Sequence, residues 1–115
     1  MSVSEEPSEL LEQDELLAEI VRRLIQVYQP LRIYLFGSRA RGDSGPHSDY
    51  DIMVIVPDSS PHSMRRGRLA YRALWGLPTT GDILVWTESQ FDKTSHLRSS
   101  LPGTVLREGK LLHAA

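Results

Sequence analysis

Two short apolar runs, Ile33 to Phe36 and Ile52 to Val56, are joined by a link too brief to carry the chain back for a parallel pairing. A parallel crossover takes a dozen or more residues and usually a helix, whereas the stretch from Gly37 to Ser48 is built mainly of Gly, Ser, Arg and Asp. Neighbouring strands made from these runs must therefore be antiparallel. That sets the end of the first, at Gly37 and Ser38, beside the start of the second, at Asp49 and Asp51. The two aspartates stand at i and i+2, so on a strand their carboxylates face the same side.

A third run, Ile83 to Trp86, follows Gly81-Asp82. The longer link before it carries Met64, Leu69, Ala73 and Leu74 among arginines and predicts a helix over about Pro61 to Trp75. Such a link suits a right-handed crossover to a parallel strand, which places Asp82 at the same edge as Asp49 and Asp51. Upstream, Leu17, Ile20, Val21, Leu24 and Tyr28 fall at helical spacing, predicting one helix from about Glu9 to Tyr28 that Pro30 ends by biasing Gln29 away from helical angles. Thr87 with Gln90 fits a capping box for a short helix from Glu88 that ends before Ser99. Pro102 to His113 reads as one or two helical turns, then Gly109 and a terminal edge strand. The expected fold class is α/β (α+β), a small mixed sheet flanked by helices, in one domain over residues 9–115 after a flexible polar tail over residues 1–8.

Three carboxylates and a Gly-Ser turn then share one rim. Two ionised carboxylates about 6.5 Å apart repel by about 2.5 kcal/mol at an effective dielectric of 20, and a divalent cation removes that penalty. The absence of cysteine rules out thiolate ligands and leaves oxygen and imidazole donors. Magnesium, which favours carboxylates, waters and substrate phosphates, fits that donor set.

Other readings are narrowed by composition and spacing. A net charge of −2 and a pI near 6.1 give no global pull toward a long nucleic acid. No apolar run approaches the roughly 20 residues that span a bilayer, and the acidic start MSVSEEPSELLEQ is unlike a secretory or transit signal, so a cytoplasmic location is expected. Gly37 to Gly42 matches half of a P-loop, but Asp43 stands where its lysine must reach the phosphates. His47, His62, His96 and His113 lack the spacing of a metal pair, and most are expected at the surface, His47 alone being near enough in sequence to touch a nucleotide. Ser38 is a candidate cap for a helix beginning at Arg39. Tyr50, Trp75 and Trp86 are expected in or half in the core, with Trp75, near a helix end, also able to serve an interface. Arg65, Arg66, Arg68 and Arg72 read as a solvated helix surface on which Arg65, Arg68 and Arg72 share a face able to grip an acidic partner or RNA.

The run Gly37-Ser38-Arg39-Ala40-Arg41-Gly42, followed by Ser48-Asp49-Tyr50-Asp51 entering an apolar strand and by the later Asp82, resembles the DNA polymerase β-type nucleotidyltransferase superfamily. Within it the chain is similar to the minimal nucleotidyltransferase (MNT) domains over about Leu16 to Leu112, ending in Arg107-Glu108-Gly109-Lys110. The resemblance implies transfer of a nucleoside monophosphate, usually AMP from ATP, to a hydroxyl acceptor with two Mg²⁺ ions. It implies that Asp49, Asp51 and Asp82 are catalytic metal ligands, with Asp82 drawing the acceptor proton. It implies further that Gly37 and Ser38 secure the triphosphate and that Arg39 or Arg41 neutralises the leaving pyrophosphate. The acceptor-binding domain that larger relatives append is not in this sequence, so the acceptor is expected to be, or to come with, another protein. Family members are often antitoxins of HEPN-domain toxins that adenylylate a toxin tyrosine, which makes a HEPN-domain toxin the expected partner, in a homo- or hetero-oligomer. The alternatives are a catalytically weak antitoxin or nucleotide-binding module acting by partner binding, and a transferase to a small-molecule hydroxyl.

Overall fold

A computed structural model describes residues 10–42, 49–65, 68–78 and 81–115. The expected tail over residues 1–8, and His47 and Ser48 of the motif region, lie outside the described residues. The chain forms α1 (Leu10–Gln13), α2 (Glu15–Tyr28), β1 (Arg32–Phe36), α3 (Gly37–Arg41) and β2 (Tyr50–Val56). A 3-10 turn (His62–Arg65) then leads to α4 (Arg68–Ala73), β3 (Gly81–Thr87), α5 (Glu88–Ser95), α6 (Leu101–Glu108) and β4 (Lys110–Ala114).

The sheet runs in the order β3-β2-β1-β4. β1 pairs antiparallel with β2 and with β4, and β2 pairs parallel with β3, as the link lengths require. Alternation along the strands splits the core into two layers. Ile33, Leu35, Tyr50, Ile52, Val54 and Ile83 pack with α2 and α4 on one face, while Tyr34, Met53, Ile55 and Leu111 pack with Phe91 of α5 and Val105 of α6 on the other. With both faces of β2 covered, its run Ile52 to Val56 is apolar at every position and wholly buried.

Helix ends follow local chemistry. The single helix expected from Glu9 to Tyr28 is broken at Asp14, whose extended backbone and side chain, accepting from the Leu17 N–H at 3.0 Å, restart the helix as a cap. Gln29 leaves the helix in the left-handed region (φ 47), rather than the extended one that a following proline favours, and its N–H bonds to the Ile25 carbonyl. The expected helix over Pro61 to Trp75 is present only in pieces, the 3-10 turn and α4, with Arg66 and Gly67 between them outside the described residues. The Thr87 and Gln90 capping box forms as expected, and Ser100 caps α6 through the Gly103 N–H at 3.0 Å.

Candidate active site

The C-terminal end of β1 and the N-terminal ends of β2 and β3 form one rim of the sheet, because β1 is antiparallel to β2 and β2 is parallel to β3. The strands begin two residues earlier than their apolar runs, so Asp51 and Asp82 lie inside β2 and β3 and only Asp49 precedes its strand. Asp51 and Asp82 are direct register partners, as are Phe36 and Asp51. By alternation both carboxylates sit on the face that buries Met53, Ile55 and Phe91.

Gly37 explains how the rim closes. Its φ is +74, in the left-handed region, and a Cβ built there stands 2.2 Å from Asp51 Oδ2 and 3.1 Å from its Cγ. The carboxylate of Asp51 therefore lies against the bare Cα of Gly37, a place that any other residue would fill. Gly81 has a similar role at the start of β3, where a Cβ would meet the Tyr50 carbonyl oxygen at 2.5 Å. Burial, then the charges of Asp82 and Asp49, push the Asp51 carboxyl above its usual range, against the opposing pull of Arg41. Asp51 thus feels the charges of both Asp82, its register partner, and Asp49, just ahead of the strand.

Tyr50 occupies the opposite face from Asp51. Its ring is buried in the α2 layer, and the guanidinium of Arg39 lies over it, 4.1 Å from the centroid. The phenol donates to Asp14 Oδ2 at 2.7 Å. Burial, with the Asp14 hydrogen bond and charge, raises the Tyr50 hydroxyl to about 12 despite Arg39. Asp14 thus caps α2 with one carboxylate oxygen and anchors Tyr50 with the other, and Tyr50 in turn supports Arg39. An aspartate inside a helical pattern, just before Glu15, was the available signal for the cap. Nothing in the linear chain pairs position 14 with position 50.

Two expectations change. Ser38 is not the cap of a helix starting at Arg39: α3 starts at Gly37 after Phe36, with no side-chain cap, and Ser38 serves through its carbonyl, which accepts from the Gly42 N–H. Trp75, expected in or half in the core, is 85% exposed, because Leu74 and Leu77 on either side of it are the residues that turn inward. Tyr50 is buried and Trp86 packs beside the second core layer, as expected. Among the described residues no three acidic or imidazole groups converge as a ready-made ion cluster, and no helix is long and apolar enough to cross a membrane.

Comparison with known proteins agrees with this architecture. A family model described as a nucleotidyltransferase domain matches residues 15–108. Among solved structures, a candidate nucleotidyltransferase from Sulfolobus solfataricus is 26% identical with a TM-score of 0.56, covering 84% of this chain and 76% of its own. A toxin-antitoxin crystallised with AMP-PNP is 28% identical with a TM-score of 0.55, over 84% of this chain and 72% of that one. A toxin-antitoxin MntA-HpeT mutant, carrying Asp-to-Glu changes at two positions spaced i and i+2, is 26% identical with a TM-score of 0.53, over 83% and 71%. No curated protein matches. The resemblance drawn from the Gly-Ser and Asp-Tyr-Asp residues is borne out at the level of the family, since the matched segment contains the ends of β1, β2 and β3 that build the rim, and the chain belongs to the nucleotidyltransferase domain family.

Proposed function

We propose that this chain transfers AMP from ATP to a hydroxyl on a partner protein, as the antitoxin of a toxin-antitoxin pair whose toxin is a HEPN-domain protein. The observation that carries this reading is the register of Asp51 with Asp82 beside a glycine that leaves the Asp51 carboxylate room. The similar structures support it: one pair was crystallised with an ATP analogue, and another was altered at two aspartates with the spacing of Asp49 and Asp51.

The donor set suits magnesium. Asp49, Asp51 and Asp82 would hold it, and an Asp51 carboxyl pushed up by burial and by its two acidic neighbours is relieved when a divalent cation arrives. Bound magnesium supplies charge stabilisation to the phosphoryl oxygens of an in-line displacement. The chain's own groups do the rest. Backbone N–H groups of Gly37 and Ser38, in the first turn of α3 and without intrahelical partners, receive the triphosphate. Arg39, steadied on Tyr50, and Arg41, whose charge reaches Asp51, offset the charge that grows on pyrophosphate. Asp82 accepts the hydroxyl proton as the acceptor oxygen bonds to the α-phosphorus, and the bond from that phosphorus to the β-phosphate bridging oxygen breaks.

The test is incubation with ATP, Mg²⁺ and the protein encoded by the adjoining gene, followed by intact-mass measurement. The expected product is a partner heavier by one or more AMP units with pyrophosphate released, and neither appears with Asp51→Ala. An unchanged partner mass with the wild-type chain refutes the reading.

A further inference from the structure

The exposed face of α4 is used neither by the core nor by the acidic rim. Ala70 of this helix is fully buried and Leu69, Leu74 and Leu77 pack against the α2 layer, which fixes its inner side. On the outer side Arg68, Tyr71, Arg72 and Trp75 succeed one another at helical spacing and are all exposed, Tyr71 to 60% and Trp75 to 85%. Those two are the largest exposed aromatic side chains among the described residues.

Trp75 is held out on an anchored turn. Its N–H donates to the Arg72 carbonyl at 3.2 Å, and Gly76 turns the chain with φ +88. From α2, the Arg23 guanidinium donates to the carbonyls of Ala73 at 3.2 Å and Trp75 at 3.0 Å, while its Nε is fixed on Glu19 at 2.8 Å. An indole in water forgoes hydrophobic stabilisation in the isolated chain, and the anchored backbone beneath it spares a partner the cost of ordering the turn.

Charge separates this face from the rest of the molecule. From Ser59 to Gly81 there are four arginines and no acidic residue, which leaves nine basic against fifteen acidic residues elsewhere. Arg68 and Arg72 make no ion pair among the described residues. Tryptophan, tyrosine and arginine gathered in one patch is the composition of protein-protein hot spots. RNA would bring phosphates to a chain that is otherwise acidic, which favours a protein with a local acidic patch.

We infer that the Arg68, Tyr71, Arg72 and Trp75 face docks a partner protein through an acidic surface with an apolar pocket, the indole filling the pocket and the two guanidinium groups meeting carboxylates. This rests on the reading that the acceptor is a protein. It also suits the topology: β2 and β3 are parallel and both start at the rim, so the crossover through α4 returns toward the rim and leads into Asp82. Because α4 packs on the sheet face opposite the carboxylates, a partner held there has to extend past the rim to present its acceptor hydroxyl.

The experiment measures affinity, by calorimetry, for the product of the adjoining gene with the wild-type chain, Trp75→Ala, Trp75→Phe, the pair Arg68→Glu with Arg72→Glu, and Asp51→Ala. Trp75→Ala and the double charge reversal are expected to weaken binding at least tenfold and Trp75→Phe less, with far-UV circular dichroism and Mg-ATP binding unchanged. In a Trp86→Phe background, Trp75 fluorescence is expected to shift to shorter wavelength as the partner is added. Asp51→Ala should bind like wild type. Normal affinity of the Trp75 and arginine variants for a partner that is still adenylylated overturns the docking surface and leaves the transfer reading standing. Trp75-dependent binding without adenylylation does the reverse, and no binding by the wild-type chain overturns both. Loss, in the same variants, of a self-dimer on sedimentation or of a fluorescein-labelled RNA 20-mer, with partner affinity kept, assigns the face to another occupant and overturns the proposal.

Discussion

Gly37→Ala tests the central geometric claim without requiring any knowledge of the acceptor. The new methyl would stand 2.2 Å from Asp51 Oδ2, 3.1 Å from Cγ and 3.3 Å from Cβ, so the first three atoms it meets all belong to one side chain. Two costs arise. An alanine at φ +74 pays about 1–2 kcal/mol for the left-handed conformation. The displaced Asp51 carboxylate, forced off its rotamer, adds about 0.5–1.5 kcal/mol, while the stiffer unfolded chain returns about 0.4–1 kcal/mol. The net is a destabilisation of about 0.5–3 kcal/mol, a melting temperature lower by about 2–12 °C for a domain of this length. A double-mutant cycle with Asp51→Ala isolates the collision, because truncation removes Oδ2 and Cγ and leaves only the backbone cost and one close Cβ. Thermal denaturation of the four proteins should show a coupling of about 0.5–1.5 kcal/mol. Equal costs of Gly37→Ala with and without the Asp51 carboxylate refute the close approach. Transfer activity should fall about 100-fold or more, since a misplacement near 1 Å suffices for that.

The protonation of Asp51 gives a second prediction: its folded-state pKa is raised, chiefly by burial, so the folded chain binds the proton more tightly and loses stability as pH rises through that range. Asp51→Asn should accordingly raise the melting temperature of the metal-free protein at neutral pH and abolish the stabilisation that Mg²⁺ gives the wild type; a lowered melting temperature, or an unchanged Mg²⁺ response, contradicts this. Tyr50→Phe removes the 2.7 Å bond to Asp14 but keeps the ring under Arg39, so urea denaturation should show a loss of about 1–3 kcal/mol. Tyr50→Leu should also raise the KM for ATP by releasing Arg39, and equal KM values for the two variants would separate Arg39 from the nucleotide. Gln29→Gly relieves a side chain held at φ 47 and should stabilise the chain by up to about 1 kcal/mol, read as a higher midpoint in urea at unchanged slope.

Legibility in the sequence tracked the range of the interactions. Strand directions followed from link lengths, the α2 core face from the spacing of Leu17 to Tyr28, and the α5 start from Thr87 and Gln90, since each depends on residues close in the chain. What escaped was set by tertiary contact. β2 extends back to Tyr50, an extension that its pairing with Phe36 and Gly81 supports. Trp75 turns outward because Leu74 and Leu77 take the inward positions, a choice that hydrophobicity alone assigns the other way. Asp14 was visible as a residue type suited to a cap, but its second bond, to Tyr50, joins positions 36 apart.

The same contrast bears on how the rim is held. Asp51 lies between fully buried Ile52 and a site that raises its carboxyl's affinity for protons, so the acidic rim works against folding while the sheet beneath it does not. Asp51 and Asp82 stand side by side without any movement of their strands. Asp51 and Asp82 are paired by the ladder of two neighbouring strands, and Gly37 is fixed at the end of a third. Tyr50 fastens the start of β2 to the cap of α2 through Asp14. A ligand that neutralises Asp51 and Asp82 therefore meets two carboxylates whose strands were placed in folding, so less of its binding free energy goes to arranging that pair. The consequence is a stabilisation by Mg²⁺ that should depend steeply on ionised Asp51 and weakly on the exposed Asp49, which precedes its strand and can be replaced by Asn at smaller cost to ion-dependent melting.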